Sequence, residues 1–188
     1  MMKFNTLFLS LAMAGGLFSG ATHAITGTNQ LQGIITATVT AGTCTAQITN
    51  SSKASTNEID FGDLYKNEVG TRTEPFNVEL TECYGVQNAT LTAQPGAGNS
   101  CSGTSYATTG TTNTAVEIWK DTADTGTQLE CKNGGTSNAI VTTLGISTTA
   151  KSATIPMVAR WVVANGKTTA DIATGEATSL ITFSVEYQ

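Results

Sequence analysis

The chain has 188 residues, with nine Lys and Arg against 14 Asp and Glu, a net charge of −5, and only 12% charged side chains. That length suits one domain with its own core, and an acidic balance without any Lys/Arg cluster argues against nucleic acid and against anionic membrane surfaces. Thr, Ser, Gly and Ala dominate the composition, which favours strands and turns over helices.

Residues 1–24 read as a secretory signal peptide. Lys3 gives a short basic start, an apolar run of about 14 residues follows, and Ser19-Gly20-Ala21-Thr22-His23-Ala24 is a small-residue exit. The run is short of the roughly 20 residues a membrane span needs. Cleavage is expected after Ala24, with Ala21 as the alternative. The chain beyond it, 25–188, carries eight basic and 14 acidic residues, net −6.

Within 25–188 no segment keeps a helical period for three turns, and period-two stretches recur instead. Residues 25–43 form an extended, Thr/Gly-rich lead with Leu31, Ile35 and Val39 apolar. A short strand carrying Cys44 is predicted over 43–49, and another over 58–64 with Ile59 and Phe61 on one face. Residues 76–83 alternate with Phe76, Val78 and Leu80 inward, and 89–93 follow as a strand. Residues 95–113 read as a long Gly/Ser/Thr linker holding Cys101. The run 115–120 (AVEIWK) is a strand, with 128–131 returning beside it. A weaker strand is predicted over 139–144 and an alternating one over 155–163. The last strand, 179–187, places Ser179, Ile181, Phe183, Val185 and Tyr187 on one face. Many short strands separated by turns indicate an all-β sandwich.

The residue inventory argues against catalysis. The single histidine, His23, leaves with the signal peptide, which removes Ser-His and Cys-His pairs and histidine metal sites together. The acidic pairs Asp60/Asp63 and Glu79/Glu82 lie in or beside strand-like segments and read as solvated faces. The stretch Pro95-Gly96-Ala97-Gly98-Asn99 reads as a turn, not a phosphate loop. Asp121, Asp124 and Gly126 lack the spacing of a calcium loop and read as a hairpin tip. No cofactor is expected. The four cysteines, Cys44, Cys83, Cys101 and Cys131, imply two disulfides in an exported protein, with three connectivities open.

The two ends of the chain complement each other. A half-buried strand ending at Tyr187 has no following strand to cover its edge, and free edges are normally blunted or paired. The lead at 25–43 is an alternating extended segment with no neighbour to pair with. Each could supply what the other lacks, between molecules; the alternative is that the lead pairs inside its own domain.

These residues resemble the type 1-like pilins, the subunits of chaperone–usher fimbriae. The resemblance is carried by Cys44, about 20 residues into the exported chain, by the step Ile59-Asp60-Phe61-Gly62-Asp63-Leu64, and by Phe76-Asn77-Val78-Glu79-Leu80-Thr81-Glu82-Cys83. It is also carried by Ala115-Val116-Glu117-Ile118-Trp119-Lys120, by Val158-Ala159-Arg160-Trp161, by the penultimate Tyr187, and by Gly175, the fourteenth residue counted from the end. It implies a Cys44–Cys83 disulfide, which leaves Cys101 for Cys131, a pair beyond the one disulfide of many such pilins.

The resemblance further implies an incomplete immunoglobulin-like β-sandwich completed by a donor strand from a neighbouring subunit. The expected organisation is a signal peptide (1–24), a donor-strand extension (25–43) and a pilin domain (44–188). Leu31, Gly33, Ile35, Ala37 and Val39 would form the donor face. Gly175, Ile181, Phe183, Val185 and Tyr187 would belong to the strand and groove that receive a chaperone or a neighbour. The partners implied are a periplasmic pilus chaperone, an outer-membrane usher and other pilin subunits, with a final location on the cell-surface fimbrium. The expected function is therefore a polymerising structural subunit that supports adhesion. A single-domain adhesin or carbohydrate-binding module is the alternative; a hydrolase has no convincing dyad.

Overall fold

The computed structural model describes residues 36–37 and 42–188. Of the donor-face residues, Leu31, Gly33, Ile35 and Val39 lie outside the described residues, and Ala37 has no regular secondary structure. Val39–Gln188 forms a body of its own.

Among the described residues, this body has ten strands and one short 3₁₀ turn. They are β1 (Thr43–Asn50), β2 (Thr73–Tyr84), β3 (Asn88–Pro95), β4 (Cys101–Ser102), β5 (Ser105–Ala107), β6 (Thr114–Lys120), β7 (Thr127–Gln128), β8 (Ile140–Thr143), β9 (Lys151–Val163) and β10 (Ile181–Tyr187), with the 3₁₀ turn at Thr169–Asp171 before β10. One sheet runs β1-β2-β9-β6-β5-β4, with β7 also on β6; the other runs β10-β3-β8. All named pairings are antiparallel.

Alternation explains the layering. Phe76, Val78 and Leu80 of β2, Val116 and Ile118 of β6, and Ile155, Met157 and Ala159 of β9 are buried from one sheet. Ala89, Leu91 and Ala93 of β3 meet them from the other, because period-two strands put every second side chain on one face. Near the end of β2 the register slips between Leu80 and Cys83, and Glu82 takes φ +53°. This bulge reverses the phase of the alternation, so Cys83 turns inward although it stands an odd number of residues from Leu80. Cys83 there meets Cys44 of β1, and the second disulfide joins Cys101 to Cys131.

Two expectations are corrected. Residues 58–64 are not a strand. The Asp60 side chain accepts a hydrogen bond from the Gly62 N–H at 2.7 Å, and Gly62 sits at φ +55°, so a side-chain turn replaces extended pairing. Residues 95–113 are more than a linker: β4 and β5 form a hairpin on β6, and Tyr106 is completely buried. Its Gly/Ser/Thr composition concealed one large core side chain.

Candidate functional site: a groove beside an unpaired strand edge

Strand β10 is an edge of its sheet. Its register with β3 runs from Ile181 opposite Pro95 to Tyr187 opposite Ala89. Just beyond, the Gln188 N–H donates to the Asn88 carbonyl and the Asn88 N–H to the Gln188 carbonyl, both at 2.9 Å; at the other end the Gly96 N–H donates to the Leu180 carbonyl. These bonds fix the phase of the ladder. In an antiparallel pair, hydrogen-bonded positions alternate with positions whose N–H and C=O point away. The main-chain groups of Ile181, Phe183, Val185 and Tyr187 therefore point to the edge of β10 that no strand among the described residues occupies. The side chains of the same four residues are half-buried against the core. One set of residues thus offers both hydrogen-bonding groups and apolar surface.

Beside this edge lies a groove of about 1000 Å³. Its floor is the core itself: Phe76, Val116, Ile118, Ala159, Trp161 and Phe183. One wall is Ile48 of β1 with the irregular segment 57–66; the other is 172–181. Phe61 pins the first wall by meeting the Trp161 ring edge-on at 6.1 Å, with the Arg72 guanidinium 6.0 Å from the centroid of its own ring. The second wall is tied to the 107–114 stretch. The Ala173 N–H donates to the Thr112 carbonyl at 3.1 Å, the Thr109 N–H to the Thr178 carbonyl at 2.8 Å, and the Ser179 hydroxyl to the Ala107 carbonyl at 2.9 Å. A capping box at the 3₁₀ turn, Thr168 with Asp171, starts this wall, and a backbone hydrogen bond from Thr168 holds the Asp171 carboxyl below its ordinary range.

The sequence-derived residues distribute unevenly. Gly175, Ile181 and Phe183 line the groove. Gly175 adopts φ +149°, in the positive range that favours glycine. Val185 and Tyr187 do not line it; they pack further along the core, where burial raises the Tyr187 phenol above its ordinary value. The acidic pairs do not form dyads. Asp60 and Asp63 stand on the groove wall, whereas the Glu79 carboxylate accepts from Thr154 at 2.7 Å and the Glu82 carboxylate from Thr45 at 3.4 Å.

Sequence reasoning missed one cluster. Arg160 of β9 pairs in register with Glu117 of β6 on the face away from the core. Its guanidinium donates to Glu117 Oε2 at 2.6 Å and to Asp124 at 2.7 Å, and it lies 5.8 Å over the Trp119 ring. Hydrogen bonding to Asp124, with Glu117 behind it, holds Arg160 protonated, and the same contact lowers the Asp124 carboxyl. The available signal was one charged residue on the outward face of each of two alternating strands. The cluster straps the β6–β7 turn to the sheet that forms the groove floor.

Among the described residues, two antiparallel sheets with an apolar groove along an unpaired edge make a sandwich short of one strand, which defines a class of protein whose fold is finished by an added strand. The comparisons agree with that class. The uncharacterized fimbrial-like protein YadL of Escherichia coli (strain K12) is 31% identical over 195 residues, covering 95% of this chain and 93% of its own. No family model matches the chain. A chain from the structure of a chaperone–usher pilus that explains rod uncoiling is 19% identical, with 89% of this chain and 100% of that one covered and a TM-score of 0.51, so the two share a fold. The chain belongs to the fimbrial subunit (pilin) family.

Proposed function

We propose that this chain is a structural subunit of a chaperone–usher fimbria, exported behind the signal peptide 1–24 and carried to the cell surface. The groove beside β10 receives a strand, first from a periplasmic chaperone and then from the N-terminal extension of a neighbouring subunit at an outer-membrane usher. The chain's own extension, 25–43, does the same for the next subunit, with Leu31, Gly33, Ile35, Ala37 and Val39 as its inward face. Strand addition of this kind is an established mode of peptide recognition, with chaperone–pilin pairs among its known instances: main-chain hydrogen bonds give the grip and alternate side chains give register.

The observation that carries this reading is the coincidence, at Ile181 and Phe183, of main-chain groups aimed at an edge that no strand among the described residues occupies and side chains lining an apolar groove. An edge of this kind left exposed invites aggregation, so a fold that keeps one needs a strand to cover it. The test is electron microscopy of cells lacking the gene and of the same cells complemented. Loss or shortening of fimbriae, restored by the intact chain and not by a chain lacking 25–40, is expected. Fimbriae of unchanged number and length in the deletion strain would contradict the proposal.

A further inference from the structure

The groove is apolar in its floor and charged at its rims. Glu58, Asp60 and Asp63 stand on one wall and Glu176 on the other, all exposed, and Lys66 is the single basic residue among the lining side chains, leaving a net charge of −3. Arg72, behind the first wall, is engaged by Glu74 at 2.9 Å and donates to the Asp63 carbonyl, so its charge is already matched. A strand seated on the floor points every second side chain down and the others outward, between these rims. In this chain, residues 25–43 contain no Asp, Glu, Lys or Arg.

We propose that the carboxylates on the two rims make the groove selective by charge, so that it admits an uncharged strand such as residues 25–43 of a second copy and turns away strands with acidic residues on their outward face. The proposal rests on the reading of the groove as a strand acceptor. It adds what that reading leaves open, namely which strands are refused. Apolar contacts below set whether a strand binds. The rims act during approach, when an outward carboxylate passes between like charges in water, and this like-charge cost is how an interface discriminates among strands of similar shape. Three uncompensated charges within one screening length of the passing carboxylate correspond to about tenfold slower entry for an acidic strand at low salt, and to almost nothing at about 1 M salt, where the screening length is about 3 Å.

The experiment uses the full exported chain purified in complex with its chaperone. It is challenged with labelled, end-blocked peptides of residues 25–43: the native sequence, one with Thr38→Asp and Thr40→Asp, and one with Thr38→Lys and Thr40→Lys. Incorporation is followed by electrophoresis without boiling, at about 20 mM and about 1 M salt. The acceptor is the native chain or a variant with Glu58→Gln, Asp60→Asn, Asp63→Asn and Glu176→Gln; Asn at position 60 keeps the acceptor for the Gly62 N–H. Support consists of about tenfold slower entry of the acidic peptide than of the native one at low salt, with the gap closing both in high salt and in the neutralised variant. Equal entry of acidic and native peptides at low salt overturns the charge filter, as does a gap that salt leaves intact. The salt comparison on the native chain decides the matter even where the fourfold variant fails to fold. Failure of the native peptide to enter at all is a different result: it overturns the strand-acceptor reading itself.

Discussion

Phe76 of β2 and Phe183 of β10 place their rings 5.9 Å apart at an interplanar angle of 60°, joining the two sheets at the floor of the open groove. Phe76 is buried, whereas Phe183 keeps part of its ring on the groove. This pair is therefore both core and binding surface. Phe183→Ala should cost about 2–3 kcal/mol in the strand-completed subunit, at the low end for a phenylalanine truncation because the ring is not fully enclosed. Thr182→Ala, on the exposed face of the same strand, should change stability by less than about 0.5 kcal/mol. Urea unfolding of subunits filled with the 25–43 peptide checks both, and similar losses from the two variants would contradict the assigned faces.

The Arg160 cluster gives a second prediction. Arg160→Met leaves the Glu117 carboxylate, whose side chain is 16% exposed, with only the Trp119 N–H as a partner. Breaking such a pair should cost about 3 kcal/mol, while the double change Arg160→Met with Glu117→Leu should recover most of it. A double mutant no more stable than the single one, in the same urea measurement, would show that the ion pair is not the source of the loss.

The same cluster sets a pH dependence. The Asp124 carboxyl is held below its ordinary value of 3.8 by the hydrogen bond from Arg160. A carboxyl depressed in the folded state contributes stability that is fully present above its unfolded value and lost as pH falls through the folded one. Asp124→Asn should therefore lower stability at neutral pH and flatten its decline below about pH 4, where the native carboxyl would be taking up its proton. Melting temperatures recorded from neutral pH to about pH 2 test this, and parallel native and variant curves would contradict it.

Much of this molecule was legible in its sequence where period two was clean. The strands at Phe76–Val78–Leu80, at Val116–Ile118 and at Ile155–Met157–Ala159 could be located from alternation, and their inward faces are the buried ones. The C-terminal strand was legible for the same reason. Residues 58–64 misled because Ile59 and Phe61 alternate like a strand, while Asp60 and Gly62 close a turn that extended pairing cannot accommodate. Tyr106 was hidden because one aromatic residue in a Gly/Ser/Thr stretch has no period. The rim carboxylates could not be assigned from sequence, since Glu58 and Glu176 come to line one groove only through the tertiary fold.

The disulfides provide a prediction about folding. Cys44–Cys83 spans 39 residues and fastens β1, which carries Ile48 of the groove wall, to β2. Cys101–Cys131 spans 30 residues and anchors the β4–β5 hairpin. In the chain-entropy model each contributes about 4 kcal/mol. Replacing Cys44 and Cys83 by Ser should reduce both stability and strand binding, whereas replacing Cys101 and Cys131 should reduce stability and leave peptide entry within about twofold, because β1 carries the lining residue Ile48 while no residue of β4 or β5 lines the groove. Equal losses of peptide entry from the two replacements would contradict this division.

On the proposed function, residues 25–43 complete a neighbour's fold and not their own. We therefore expect a chain lacking 25–40 to fold on its chaperone and still to accept a strand, but to donate none. Ile35→Asp should act in the same direction, because an unpaired carboxylate pressed into an apolar groove costs several kcal/mol. The direct measurement incubates each purified chaperone complex alone, with no other subunit present, and resolves the products by electrophoresis without boiling. The intact chain should give a ladder of oligomers, and the truncated chain should give none. A ladder from the truncated chain, or a truncated chain that unfolds on its chaperone, would show that the segment belongs to its own domain and that polymerisation by strand donation is wrong for this protein.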